Sequence, residues 1–200
     1  MDKKKKIIIL MLAFVLLIGG ASVLYAHFGK SNTPDSLLIQ GEQKKNGNES
    51  QGDNPGTGET ERRLTKAPDF TVYDSHGSKV DLSDYAGKPI VLNFWASWCG
   101  PCQSEMPDFH EKYLEHGNDI HFLMVNMTGG RETLNSAKAF ISEKGYTFPV
   151  FYDTDANAAT TYSVYSLPTT FFIDSEGYLV AQATGAISAD SLQRGIDMIK

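Results

Sequence analysis

Polar and apolar positions divide the 200-residue chain into three stretches. Residues 7–28 run 22 positions without a formal charge, behind the consecutive cations Lys3, Lys4, Lys5 and Lys6. Residues 29–63 are rich in Gly, Asn, Ser, Gln, Glu and Lys. After Leu37-Leu38-Ile39 that stretch has no apolar residue until Leu64. From Leu64 onward, apolar residues recur at the spacings of strands and helices.

The third stretch predicts a folded domain. Residues 70–73 and 79–82 read as short strands around a turn at 74–77. One helical turn is expected at 83–86, ended by Gly87. Residues 90–95 form an apolar run expected of a buried strand. A helix is expected over 103–116, with Met106, Phe109, Tyr113 and Leu114 as its apolar positions. Pro107 inside it removes one backbone bond and should kink it. A buried strand follows at 119–127. Residues 133–144 predict a helix with Leu134, Ala137, Phe140 and Ile141 on one face, ended by Gly145. A strand at 148–152 precedes a helix at 155–162, for which Asp155 is the expected N-cap. Strands at 169–173 and 179–184 should form a hairpin across Ser175-Glu176-Gly177. Ser188 should cap a last helix reaching Met198 or Ile199.

Strand–helix–strand order in the middle implies crossover connections and parallel pairing. The closing hairpin adds antiparallel strands. The expected class is therefore α/β, with a central mixed sheet and helices on both faces. There is no internal repeat.

The first stretch bears on location. At 1.5 Å per residue its 22 residues make about 33 Å of helix, enough for a hydrocarbon core of ~30 Å. Lys3 to Lys6 then belong to the cytoplasmic side. The rival is a cleaved signal peptide, with Ala21 and Ala26 near a cleavage site. The run exceeds the roughly 7–15 residues of a signal-peptide core, which favours a retained anchor. No cysteine stands directly after it, against a lipoprotein. The expected organisation is a cytoplasmic tail at 1–6, a transmembrane signal anchor at 7–28, a flexible linker at 29–63 and an extracytoplasmic domain at 64–200.

Formal net charge is -6, and 41% of residues are hydrophobic. Residues 64–200 carry 9 Lys and Arg against 17 Asp and Glu, a net -8. An acidic domain argues against nucleic acid as a partner. Cys99 and Cys102 are the only cysteines, too few for a disulfide scaffold. The pair serves chemistry or a metal.

Trp98-Cys99-Gly100-Pro101-Cys102 lies where the strand at 90–95 hands over to a helix. A helix N-terminus has unpaired N–H groups and a partial positive charge, and both favour thiolate over thiol. A cysteine that titrates near ~8.5 when free falls to roughly 3.5–7.5 at such a site. Cys99 is therefore the expected accessible nucleophile. Cys102, one turn further in, is the expected resolving thiol. Pro101 suits an early helical position, where its missing N–H would be unpaired anyway.

These motifs resemble a known family. Ala67-Pro68-Asp69-Phe70, Gly87-Lys88-Pro89, Leu92 to Cys99, Glu105-Met106-Pro107 and Leu167-Pro168-Thr169-Thr170-Phe171 occur in the order of the TlpA/ResA-type thiol–disulfide oxidoreductases. These are membrane-anchored bacterial proteins of the thioredoxin superfamily, in its AhpC/TSA-redoxin-like branch. The resemblance covers residues 64–200. It implies a thioredoxin-like fold, a redox-active Cys99–Cys102 disulfide with no other cofactor, and a disulfide-containing protein as substrate. It also implies a cis bond at Pro168, whose loop, with Leu167 and Trp98, meets the client beside the cysteines. Thioredoxins proper place a buried Asp where this chain has Asn93, and Asn cannot do acid–base work. Glu105 stands where the TlpA/ResA branch has Glu, which implies a proton relay to Cys102; the bland alternative is a solvated helix carboxylate. Outside the cell, electrons would come from a membrane thiol carrier of the CcdA/DsbD type. Clients in relatives include apocytochrome c and spore-envelope proteins.

Other readings compete. Zinc wants four ligands, and neither a second cysteine pair nor paired histidine spacing is present. Gln103 after Cys102 rules out a CxxCH haem site. A DsbA-type oxidase, a thiol peroxidase and a non-catalytic module holding a client or copper remain alternatives.

Overall fold

The computed structural model describes residues 37–39 and 64–200. The tail and anchor expected at 1–28, and all of the expected linker except 37–39, lie outside the described residues. Among the described residues no helix is long and apolar enough to cross a membrane.

Among the described residues nine strands form one mixed sheet. At its centre β5 (Ile90–Trp95) pairs parallel with β6 (His121–Asn126) and antiparallel with β8 (Thr169–Ile173). On the parallel side, β7 (Val150–Tyr152) extends β6, and the hairpin of β3 (Thr71–Tyr73) and β4 (Lys79–Asp81) follows it. On the other side, β9 (Tyr178–Thr184) pairs antiparallel with β8. Its free edge takes two short antiparallel strands, β1 (Leu38–Ile39) and β2 (Thr65–Lys66). Two residues of the stretch expected to be a tether, Leu38 and Ile39, therefore pair with the sheet. Leu37, packed against the core, gives them a reason to do so.

Among the described residues four α-helices accompany the sheet: α1 (Gly100–His116), α2 (Leu134–Lys144), α3 (Asn157–Thr161) and α4 (Ala189–Ile199); the single turn at Leu82–Tyr85 is a 3-10 helix. β5 shows how they are arranged. Val91 and Trp95 point to one face, where they meet Met106 and Phe109 of α1, Ala137 of α2 and Ile196 of α4. Ile90, Leu92 and Phe94 point to the other, with Leu123 of β6 and Ala158 and Ala159 of α3. Helices thus cover both faces, unequally. A strand buried on both sides needs apolar residues at nearly every position, and β5 is buried along its whole length. Each large side chain sealed in this way contributes roughly 1.5–3 kcal/mol. The cysteine pair consequently follows directly on a strand that is buried along its whole length.

The last helix lies very close to the sheet. A Cβ on Gly195 would come within 2.2 Å of the buried Phe172 ring. Glycine costs helix stability relative to alanine, and here it is what permits the approach.

Three local expectations differ from the structure. α1 begins at Gly100, not at 103, because Cys99 itself is the N-cap residue. Leu114 is 68% exposed. It lies about 100° round the helix from Tyr113, off the stripe set by Met106, Phe109 and Tyr113. Asp155 does not cap α3. Asp153, further upstream, accepts from Ala158 N at 3.1 Å and Ala159 N at 2.8 Å, while Asp155 accepts from the Tyr73 hydroxyl at 2.7 Å.

Candidate active site

β5 delivers the chain to the site in a fixed direction, and a tight turn reverses it into α1. Cys99 N donates to Ala96 O at 3.2 Å, closing that turn. Cys99 O then accepts the first helical bond, from Gln103 N at 3.0 Å. The Gln103 side chain reaches back to Ser97 O at 2.6 Å. Pro101 occupies the first turn of the helix, where a missing N–H is harmless.

Cys99 and Cys102 form a disulfide with a Cα–Cα distance of 5.3 Å. The Cys99 sulfur accepts from Cys102 N at 3.2 Å, so it sits where an N-capping side chain normally sits. Its helix-end N–H groups and dipole favour negative charge on that atom once the bond is reduced. Cys102 is fully buried, and Cys99 retains 5% exposure. Of the two residues, Cys99 is thus the more exposed, and both are buried in the oxidised pair.

Leu167–Pro168 is a cis peptide bond, and Pro168 is buried at the start of β8. Leu167 and Cys99 line the same cleft of about 650 Å³, with Trp98, Met127, Arg131 and Tyr165. Trp98 is 45% exposed, and the Arg131 guanidinium lies over its ring at 4.5 Å.

Glu105 lies on the inner side of α1 and is 2% exposed, so it is not a solvated helix carboxylate. Asn93 Nδ2 donates to its Oε1 at 2.9 Å, and Ile187 N donates to its Oε2 at 3.0 Å. Asn93 Nδ2 also donates to Thr170 Oγ1 at 3.0 Å. The carboxylate on α1, three residues after Cys102, the amide on β5 and the hydroxyl on β8 form one buried network. Asn93, which does no acid–base work itself, anchors the residue that has an ionisable group.

Glu132 was not legible as a site residue. It is 2% exposed, between the loop after β6 and the Thr133 cap of α2. Its carboxylate accepts from Ser97 N, from Ser97 Oγ at 2.9 Å and from Ser136 Oγ at 2.5 Å. It thereby ties the turn two residues before Cys99 to the start of α2. A carboxylate beside Gly129-Gly130 and a Thr cap carries no periodic signal; only tertiary contact reveals it. Arg131 and Tyr165 escaped for the same reason. Among the described residues no group of three His, Cys, Asp or Glu side chains could hold a metal.

The AhpC/TSA family model matches residues 64–182, more than half of the chain. This chain belongs to the AhpC/TSA family. Its relatives include the thiol-disulfide oxidoreductase ResA of Geobacillus kaustophilus (strain HTA426), 38% identical over 135 residues, or 67% of this chain and 76% of that protein. Among solved structures, a putative thiol:disulfide interchange protein DsbE from Chlorobium tepidum superposes with a TM-score of 0.60 at 32% identity. It covers 66% of this chain and 94% of its own. StoA from Bacillus subtilis gives 0.57 at 25% identity, covering 64% and 96%. This AhpC/TSA-family protein has the thioredoxin-like fold and is a thiol–disulfide oxidoreductase with a cysteine pair, of the kind those relatives represent.

Proposed function

We propose that this enzyme reduces disulfides of client proteins on the extracytoplasmic side of a bacterial membrane, to which residues 7–28 anchor it. The observation that carries the reading is the placement of the pair. One sulfur caps a helix at the floor of an open cleft, and the other is sealed behind it. In the reduced enzyme, Cys99 thiolate attacks one sulfur of the client disulfide. A Cys99–client bond forms, the client S–S bond breaks, and the departing client sulfur takes a proton. Cys102 then loses its proton and attacks Cys99 Sγ. The mixed disulfide breaks, the second client thiol leaves, and two electrons have passed to the client. The enzyme is left with the Cys99–Cys102 disulfide seen here.

Glu105 is the group proposed to take the Cys102 proton, with Asn93 and Ile187 N holding its carboxylate in place. Leu167, Pro168 and Trp98 are proposed to receive the client chain. Two electrons from a membrane dithiol carrier of the CcdA/DsbD type would restore the reduced pair. Apocytochrome c cysteines and spore-envelope proteins are the client classes proposed. The uncharged run behind Lys3 to Lys6 supports the anchoring, and likeness to ResA, StoA and DsbE supports the exchange chemistry.

The reduction potential of the pair tests the direction. A value at or below the thioredoxin range, about -270 mV, supports a reductase; one near the DsbA range, about -120 mV, means an oxidase. Cys102→Ala should accumulate mixed disulfides with clients, and Cys99→Ala should not.

A further inference from the structure

The cleft beside Cys99 differs in charge from the rest of the domain. Residues 64–200 carry a net -8, yet no Asp or Glu lines the cleft and its one charged lining residue is Arg131. Among the described residues Arg131 forms no ion pair. Its guanidinium lies over the Trp98 ring at 4.5 Å, a cation–π contact that holds the positive charge beside the cleft. A guanidinium presents its N–H donors in a planar fork, and that fork matches a carboxylate. Tyr165, from the loop before β8, lines the same cleft and is 93% exposed. Exposed Trp, Tyr and Arg grouped around a concave site have the composition of interface anchors.

We propose that Trp98, Tyr165 and Arg131 select an extended client segment in which an Asp or Glu flanks the disulfide cysteine, with an apolar side chain against the two rings. This inference rests on the disulfide-exchange reading of the site. Charge complementarity supports it. An acidic segment approaching a domain of net -8 is repelled almost everywhere, and Arg131 supplies the opposite charge at the reactive sulfur. A stack serving only to pack Trp98 would leave the enzyme indifferent to client charge.

The experiment uses the full chain, reduced, at low ionic strength. Substrates are three disulfide-linked peptides identical except for the residue next to each cysteine, which is Asp, Asn or Lys. Uncharged 2-hydroxyethyl disulfide is a fourth substrate. The expected order in kcat/KM is Asp, then Asn, then Lys, with the Asp peptide about two- to fivefold above Asn, the upper part of the range for an exposed ion pair. The gap should close as salt shortens the screening length. In Arg131→Gln the Asp-to-Asn ratio should fall to about one, and in Arg131→Glu it should invert. Equal rates for the three peptides, or a preference for Lys, overturns the proposal while leaving the exchange reading intact. No reaction with 2-hydroxyethyl disulfide overturns the exchange reading, and the proposal with it.

Discussion

Glu105 sits one turn beyond Cys102, and a helix position alone leaves its environment open. The structure seals it beneath the 185–187 loop, where Ile187 N and Asn93 Nδ2 both donate to it. Replacing it with Gln keeps the volume and removes the ionisable group. Glu105→Gln should fold, with a loss of about 1–3 kcal/mol where a buried N–H loses its acceptor. Disulfide exchange should slow, and the pH profile of thiol reactivity should shift in the apparent values of the coupled group. Superimposable profiles for the two proteins would remove Glu105 from the proton path. Tyr162 offers a contrasting buried group. Its ring packs edge-on against Phe70 and Phe171, and among the described residues its hydroxyl has no hydrogen-bond partner. Burial, and secondarily the nearby Asp69 charge, pushes its pKa far above the usual phenol value. The folded state therefore holds this proton more tightly than the unfolded state. Stability from that difference is complete below the unfolded value of 10.0 and drains away as pH rises past it. Tyr162→Phe should be neutral or stabilising by about 1 kcal/mol in urea titrations at pH 7. Above pH 10 it should lose less stability than the parent; parallel losses would refute this account.

At the scale of elements, ends proved less legible than centres. The helix expected at 133–144 runs from Leu134 to Lys144, with Leu134 itself exposed, and its ends follow local signals: Thr133 and Ser136 cap each other's backbone, and Gly145 closes it in the left-handed region. α3 does not follow such signals, because its N-terminal donors are satisfied by Asp153, five and six residues upstream of them in the chain. α1 starts early because the capping atom is a sulfur, outside the usual Ser, Thr, Asp and Asn signals. The turn before it depends on Glu132, which joins two elements far apart in sequence. Glu132→Ala should lower unfolding stability by about 1–3 kcal/mol, since Ser97 N loses a charged acceptor. It should also slow exchange although both cysteines remain. An unchanged urea midpoint together with an unchanged rate would show that the tie holds nothing.

For the whole molecule, the sheet collects strands from distant parts of the chain. Ile39 pairs opposite Ala181 and Thr65 opposite Leu179, so both ends of the 40–63 stretch meet β9. The proposed anchoring makes a prediction at this scale. Protease added to intact cells stripped of their wall should release a fragment starting between residues 29 and 63. Recovery of the mature protein free in the medium would point to a cleaved signal instead.

Periodicity, turn residues and a unique CxxC determined the class, the central strand and the cysteine pair. Each of these rests on residues that lie close together in the chain, where spacing maps directly onto strand and helix geometry. The tertiary structure alone decided which polar groups are buried and what faces the cysteines. Asn93, Glu105, Thr170 and Ile187 meet because β5, α1, β8 and the loop before α4 pack together. Trp98, Arg131 and Tyr165 share a cleft because three separate loops end on one side of the sheet. No local pattern encodes such meetings, since burial of a polar side chain depends on the partners that packing brings to it.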